Sequence, residues 1–405
     1  MLAAPNAPLS PSASAASFSV GVRRSTTYLP EVESLRGIAI LLVFLHHADF
    51  CVRGRGMDNA HLVSPLQAFV IEGRTGVSLF FILSGFLLSL PFLTEIRGGN
   101  RVIRSDYYAR RALRILPLYY AAVMAASVLS AASVSDLVRG VPYLLFLNAA
   151  DLATPLLPYS AVWWSLATEV EFYLLLPLLP LVMRSRGGRW AGVVVLCAYG
   201  AALSGFLTHA WHAQTITGQI VLAHSLFGRA PLFLLGGVAA LVYLHYGSWL
   251  RERLPLLAWM RLGGADVSLL AAWVGLGFLL QWVVLRGYWQ AEARVAHLWH
   301  LLEGGLWAVV LLLLLVAPLR TKRVFSNRVL STIGLLSYSI YMLHLPLLSL
   351  SVAGVRRWKP AEFAGWGPPM VAVIVLTLLS CIALSAVTYR TIERPFLKRK
   401  AQIDR

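Results

Sequence analysis

Residues 33–47 read Glu-Ser-Leu-Arg-Gly-Ile-Ala-Ile-Leu-Leu-Val-Phe-Leu-His-His. No polar side chain stands between Arg36 and His46. This run opens the first, and a short one, of ten apolar stretches, each to be set against the roughly 20 residues that a helix needs to cross a bilayer core. They cover 37–52, 75–94, 115–135, 161–183, 190–208, 226–246, 266–285, 298–318, 333–353 and 369–389. A shorter apolar patch at Pro142–Leu147 reads as an interfacial or re-entrant helix, so nine or eleven crossings stand beside ten as alternatives.

Composition agrees with that reading. The chain has 405 residues, 58% of them apolar and only 13% charged, with a mean hydropathy of +0.70. A soluble domain carries about a quarter charged residues and less than half apolar. Disordered and collagen-like classes fail on the same numbers. Cys51, Cys197 and Cys381 are too few and too scattered for a disulfide framework or a metal cluster. The expected fold is therefore all-α, a polytopic membrane helix bundle of about ten transmembrane helices.

The net charge of +17 would suggest nucleic acid in a soluble protein. Here it sorts by topology instead. With the N-terminus cytoplasmic, 23 Lys and Arg fall on the inner side and 9 on the outer. That asymmetry is what cytoplasmic loops show, and it puts both termini inside. Residues 1–30, rich in Ala, Ser and Pro, read as a disordered cytoplasmic tail; 31–396 form one membrane domain and 397–405 a basic cytoplasmic tail. Any chemistry is then expected within the bundle, in a membrane of the bacterial cytoplasmic type.

Ionisable side chains inside spans are costly, about 2.5–3.5 kcal/mol on insertion scales, and mark function by default. Arg36 and His47 are eleven positions apart, which returns them to within about 20° of one helix face and separates them by roughly 16 Å along it. His46 is turned about 100° away. Arg36 alone also reads as a snorkelling anchor, and His47 as a packed histidine. Arg111 and Arg114 are i, i+3 neighbours at the inner end of the third span, and paired guanidiniums suit a phosphate. They also read as an ordinary positive flank. In Trp164-Ser-Leu-Ala-Thr-Glu169-Val-Glu171-Phe-Tyr173, the two carboxylates point about 200° apart, so one faces the centre. Glu169 lies near the depth of His47, with Tyr173 on its side, and one carboxylate is expected to pair with an inward Arg such as Arg229. His344, about eleven residues into the ninth stretch, reads equally as packing or as a proton relay. Phe80-Phe-Ile-Leu-Ser84-Gly85-Phe86 supplies small residues for close helix approach.

Taken in order, six motifs resemble the acyltransferase-3 family of integral membrane acyltransferases. They are Leu-Arg36-Gly-Ile-Ala with His47, Phe80-Phe-Ile-Leu-Ser-Gly-Phe, Tyr-Ala-Arg-Arg111-Ala-Leu-Arg114-Ile, Trp164-Ser-Leu-Ala-Thr-Glu169, Ser-Tyr338-Ser-Ile-Tyr341-Met-Leu-His344 and Tyr389-Arg-Thr-Ile-Glu393-Arg394-Pro395-Phe396. Each is weak alone; together they run from about residue 30 to 396. The resemblance implies transfer of an acyl group, commonly acetyl, from cytoplasmic acyl-coenzyme A to a hydroxyl at or beyond the outer face. It implies catalytic roles for His47 and Glu169 and acyl-coenzyme A binding by Arg36, Arg111 and Arg114. Glu33, Tyr173, Arg229, Tyr338 and His344 are expected to support them. Two positions depart from the family pattern, Glu33 where Asp is usual and Glu171 where a neutral residue is common. No metal and no permanently bound cofactor are expected, acyl-coenzyme A being a substrate. The acceptor is expected to be a hydroxyl-bearing glycan, a lipid-linked sugar or a secreted small molecule, in contact with membrane lipid and not nucleic acid. A transporter or flippase for an anionic or sugar substrate is the competing class, and an assembly subunit a third.

Overall fold

The computed structural model describes residues 29–54, 63–147, 156, 159–212, 224–286 and 293–403. The expected tail over 1–30 falls almost wholly outside them. Every regular element among the described residues is helical. The long helices are α1 (Pro30–Arg53), α3 (Thr75–Ile96), α4 (Arg104–Ser130), α5 (Trp164–Leu175), α6 (Arg186–His212), α7 (Leu226–Arg253), α8 (Ala265–Arg286), α9 (Ala293–Val316), α11 (Ser337–Trp358) and α12 (Pro368–Thr388). Short helices lie between them, among these α2 (Pro65–Ile71) and α10 (Arg328–Leu335). Nine helices among the described residues are long and apolar enough to cross a membrane; α6 is a further helix of 27 residues over the expected stretch 190–208.

Helix edges follow local chemistry. Pro30 at the first turn, with Glu31 and Glu33 beside the exposed N–H groups, starts α1 seven residues before the apolar run. Pro177 and Pro180 break the end of α5 into a tight turn at Leu176–Leu178 and a last piece at Leu179–Met183. Pro142–Leu147 holds only a single helical turn, Val141–Leu144, too short to cross. The ninth stretch needs a larger correction. It does not run unbroken from 333: α10 ends at Leu335 and α11 starts at Ser337, so His344 stands two turns into its helix rather than three. The break is imposed from outside, because α10 lies against the start of α1. A Cβ on Gly334 would fall 1.8 Å from the Glu33 carbonyl oxygen, and one on Gly37 would fall 2.1 Å from that of Leu330.

Contacts fix the relative helix directions. Arg36, His47 and Cys51 of α1 meet Ser337, His344 and Arg356 of α11, so these two run parallel. Phe81 and Phe86 of α3, and Arg97 just past its end, meet Phe233, Tyr243 and Leu244 of α7, so these also run parallel. Three long helices separate α3 from α7, and seven separate α1 from α11. Either pair is parallel only if α6 crosses with the rest. With the nine helices that are long and apolar enough to cross a membrane, α6 would then make ten. The core holds Phe44, Phe81, Phe86, Phe92, Tyr119, Trp163, Phe233 and Trp307, all nearly inaccessible. Val193, Val194, Val195 and Leu196 of α6 are exposed, as are Leu376 and Leu379 of α12. Apolar residues outside as well as inside mark a protein whose solvent is lipid.

Candidate active site

Two polar centres stand out among the described residues. The first surrounds Arg36. Its Nη2 donates to Ser337 Oγ at 3.0 Å, and its Nη1 lies 3.4 Å from Glu33. Arg114, Glu169 and Tyr173 are within electrostatic reach of the same guanidinium. Arg111 sits over the Tyr173 ring at 5.9 Å and interacts with Arg114, Tyr107 and Glu169. Its Nε is buried and has no hydrogen-bond partner among the described residues. Arg36 and Arg111, on different helices, thus both lie within electrostatic reach of Arg114 and Glu169.

Glu169 belongs to the same cluster, within electrostatic reach of Arg36 and Arg111. Ser84 Oγ donates to its carboxylate, and Tyr173 hydrogen-bonds to it as well. Ser84 therefore does more than allow close packing. Gly85 keeps the packing role: a Cβ there would lie 2.2 Å from the Phe233 carbonyl oxygen. Glu171 points the other way and accepts from Leu226 N–H, at the start of α7. Tyr338 donates to the Ile115 carbonyl at 2.7 Å, tying α11 to α4. Glu393, the acidic residue of the last motif, accepts from Ser339, with Arg114 and Arg36 in electrostatic reach. It sits in a widened helical turn at Tyr389–Glu393, just before Pro395, which has no N–H to continue the regular ladder.

His47 lies farther along α1. Its Nδ1 is 2.9 Å from the Val43 carbonyl and 3.2 Å from Nε2 of the fully buried His344. Glu169 is engaged by Ser84 and Tyr173, and the side chain that meets His47 Nδ1 is His344. His46 turns away, with Nδ1 2.6 Å from the Ile71 carbonyl.

The second centre lies beyond His46, where Glu72, Arg74, Thr75, Ser78, Arg229, Trp299 and Glu303 line a small cavity. Arg229 lies 3.2 Å from His300 Nε2 and 5.4 Å over the Trp164 ring. It thus stands beside His300, with Glu303 in electrostatic reach. Burial pushes the Glu72 carboxyl above the usual range, and Arg74, 2.5 Å away, opposes that shift. Burial and then the Arg229 and Arg74 charges push His224 down to about 3. Glu303 accepts from Ser78 at 3.0 Å and is 2% exposed. It is a buried ionisable group that the sequence reading leaves out. The signal was present, an acidic residue at i+3 from His300 inside an apolar stretch.

Residues 29–388 match the model of an acyltransferase domain family. The peptidoglycan O-acetyltransferase OatA of Listeria monocytogenes is 22% identical over 400 residues, which cover 93% of this chain and 57% of that protein. The putative peptidoglycan O-acetyltransferase YrhL of Bacillus subtilis is 25% identical over 392 residues, covering 91% of this chain and 55% of its own. The chain thus spans a little over half the length of these relatives. No solved structure matches it.

Proposed function

The chain belongs to the acyltransferase-3 family, and from that membership we propose that it transfers an acyl group, acetyl foremost, from cytoplasmic acyl-coenzyme A to a hydroxyl of a cell-envelope glycan. The names of its relatives favour a cell-wall glycan as acceptor. Lipid-linked sugars and secreted metabolites offer the same reacting group. The Arg-rich side of the bundle is cytoplasmic on this reading, and the membrane is the bacterial cytoplasmic membrane.

The observation that carries the proposal is the buried Arg111 Nε without an acceptor among the described residues, in a cluster with Arg114 that also reaches Arg36. A buried donor left unmade costs about 1–3 kcal/mol. A phosphate supplies the missing acceptor and the negative charge that three guanidiniums favour. Coenzyme A presents phosphates at one end and a thioester at the other, and His47 stands roughly 16 Å along α1 from Arg36. At His47 the acceptor hydroxyl gives its proton to the imidazole as its oxygen attacks the thioester carbonyl. The C–S bond then breaks, and the same proton passes from His47 to the leaving thiolate. General-base assistance of this kind contributes about 10²–10⁴ in rate.

The test uses purified protein in lipid nanodiscs with radiolabelled acetyl-coenzyme A and glycan fragments. An alkali-labile acetyl ester on the glycan is expected. Acetyl-pantetheine, which lacks the nucleotide phosphates, should bind far more weakly than acetyl-coenzyme A. Equal binding of the two refutes the phosphate role, and solute flux without ester formation favours transport.

A further inference from the structure

His47 has two ring nitrogens, and which one carries the lone pair decides whether it can act as a base. Its neighbour on α11 settles the question by elimination. His344 Nδ1 lies 2.8 Å from the Tyr341 carbonyl and 3.2 Å from that of Ile340. Both oxygens only accept, so this nitrogen carries a hydrogen. In a neutral ring the His344 lone pair is then on Nε2, 3.2 Å from His47 Nδ1.

His47 Nδ1 thus meets two acceptors, His344 Nε2 and its own helix's Val43 carbonyl at 2.9 Å. It must carry the hydrogen and donate. The lone pair of neutral His47 is left on Nε2. The reverse assignment sets a lone pair against the Val43 oxygen and demands a cationic His344 where exposure is zero. Burial penalises that charge.

Resting on the proposed function above, we propose that His344 is a positioning residue that locks His47 as the Nδ1–H tautomer and so presents Nε2 to the acceptor hydroxyl. A carboxylate often plays this part for histidine. Here the partner is a neutral imidazole. The candidate carboxylate, Glu169, is occupied by Ser84 and Tyr173. Tyr341, whose ring lies 5.6 Å from His344, is tied to Ser165 at 2.7 Å and to the Val162 carbonyl at 2.6 Å, so its hydroxyl does not compete. His46 is held to α2 through the Ile71 carbonyl. When His47 takes a proton on Nε2, its Nδ1–H becomes a stronger donor, and His344 and Val43 share the new charge. A neutral acceptor holds that imidazolium less tightly than a carboxylate does, which suits a group that must return the proton to a thiolate.

Two near-isosteric variants test this. The amide oxygen of His344→Gln reaches the place of Nε2 and still accepts from His47. The shorter amide of His344→Asn reaches only the place of Nδ1, keeping the contact with the Tyr341 carbonyl and abandoning His47. The expected result is kcat within about tenfold of the parent for His344→Gln and a loss of about 10²-fold or more for His344→Asn. Acetyl-coenzyme A affinity should be unchanged in both. Equal rates for the two variants, high or low, overturn the proposal. Solid-state NMR of the unsubstituted protein with 15N-labelled histidine gives an independent reading, the His47 signals being identified by their loss in His47→Gln. A protonated Nδ1 and bare Nε2 are expected, and a hydrogen on Nε2 overturns the assignment. If His47→Gln keeps full transfer activity, the base role of the proposed function fails, and the tautomer result stands apart from it.

Discussion

Replacing Arg111 by Met separates a ligand site from a structural one, because the two roles predict opposite signs. The Arg111 Nε is buried without an acceptor among the described residues, and Arg114 adds like-charge repulsion. In the ligand-free protein the guanidinium is a burden, partly relieved by the Tyr173 ring 5.9 Å away. That cation–π contact contributes about 0.5–2 kcal/mol, comparable to the 1–3 kcal/mol cost of an unmade buried donor. Met fills the space with a flexible apolar chain. Ligand-free stability should therefore hold or rise by about 1 kcal/mol. Donor affinity should fall, because a hydrogen bond to a charged group contributes about 1.5–3 kcal/mol, or roughly 10- to 150-fold in Kd. Thermal unfolding in detergent, with and without acetyl-coenzyme A, reads both quantities at once. Donor affinity within twofold of the parent refutes the reasoning, and a loss of stability with affinity intact makes Arg111 a structural residue.

Further outcomes are equally specific. His47→Ala should lower transfer by about 10²–10⁴ while the protein stays monodisperse, measured by acetyl ester formation and size-exclusion chromatography. Gly236→Val should destabilise the α3–α7 crossing by about 1–3 kcal/mol or more, seen as a lower Tm, because a Cβ there would lie 2.2 Å from the Ile82 carbonyl oxygen. His224, held neutral with its pKa lowered from 6.5 to about 3, takes up a proton on unfolding once the pH drops below 6.5. Its share of stability is thus fully present above that pH and is lost as pH falls towards 3, by at most about 2 kcal/mol at pH 5. His224→Phe keeps a ring stacked on Trp164 and should flatten that part of the Tm–pH curve.

The helices were legible because lipid allows few alternatives: twenty apolar residues with internally paired backbone have one common solution. The face shared by Arg36 and His47 was legible too, since it depends only on helical periodicity. What sequence withheld were quantities set between helices. The break at Leu336 depends on how closely Gly334 approaches α1. The 200° between Glu169 and Glu171 follows from spacing, but only packing against α3 and α7 decides that Glu169 turns to Ser84 and Glu171 to Leu226 N–H. The pairing of His47 with His344 needs the α1–α11 register, in which eleven residues on one helix match seven on the other. Arg36 makes up the difference by reaching along the helix to Ser337.

Those registers also make the topology testable. The parallel pairs α1 with α11 and α3 with α7 are formed by different residues, yet each demands that α6 cross the membrane. If α6 instead lay along the surface, everything after it would change sides, and both pairs would have to run antiparallel. Asn100 and Arg323 are exposed on connections before and after α6, and Glu362 is exposed on the connection after α11. In a background with Cys51, Cys197 and Cys381 replaced by Ala, single Asn100→Cys and Arg323→Cys variants should react with an impermeant maleimide from the same side. Glu362→Cys should react from the other. Labelling of Asn100→Cys and Arg323→Cys from opposite sides would remove the α6 crossing and contradict both parallel contacts. If the first two label only from the cytoplasmic side, the proposed donor site of Arg36, Arg111 and Arg114 lies towards the compartment that holds coenzyme A thioesters. The excess of 23 basic residues over 9 then reports which way the donor enters.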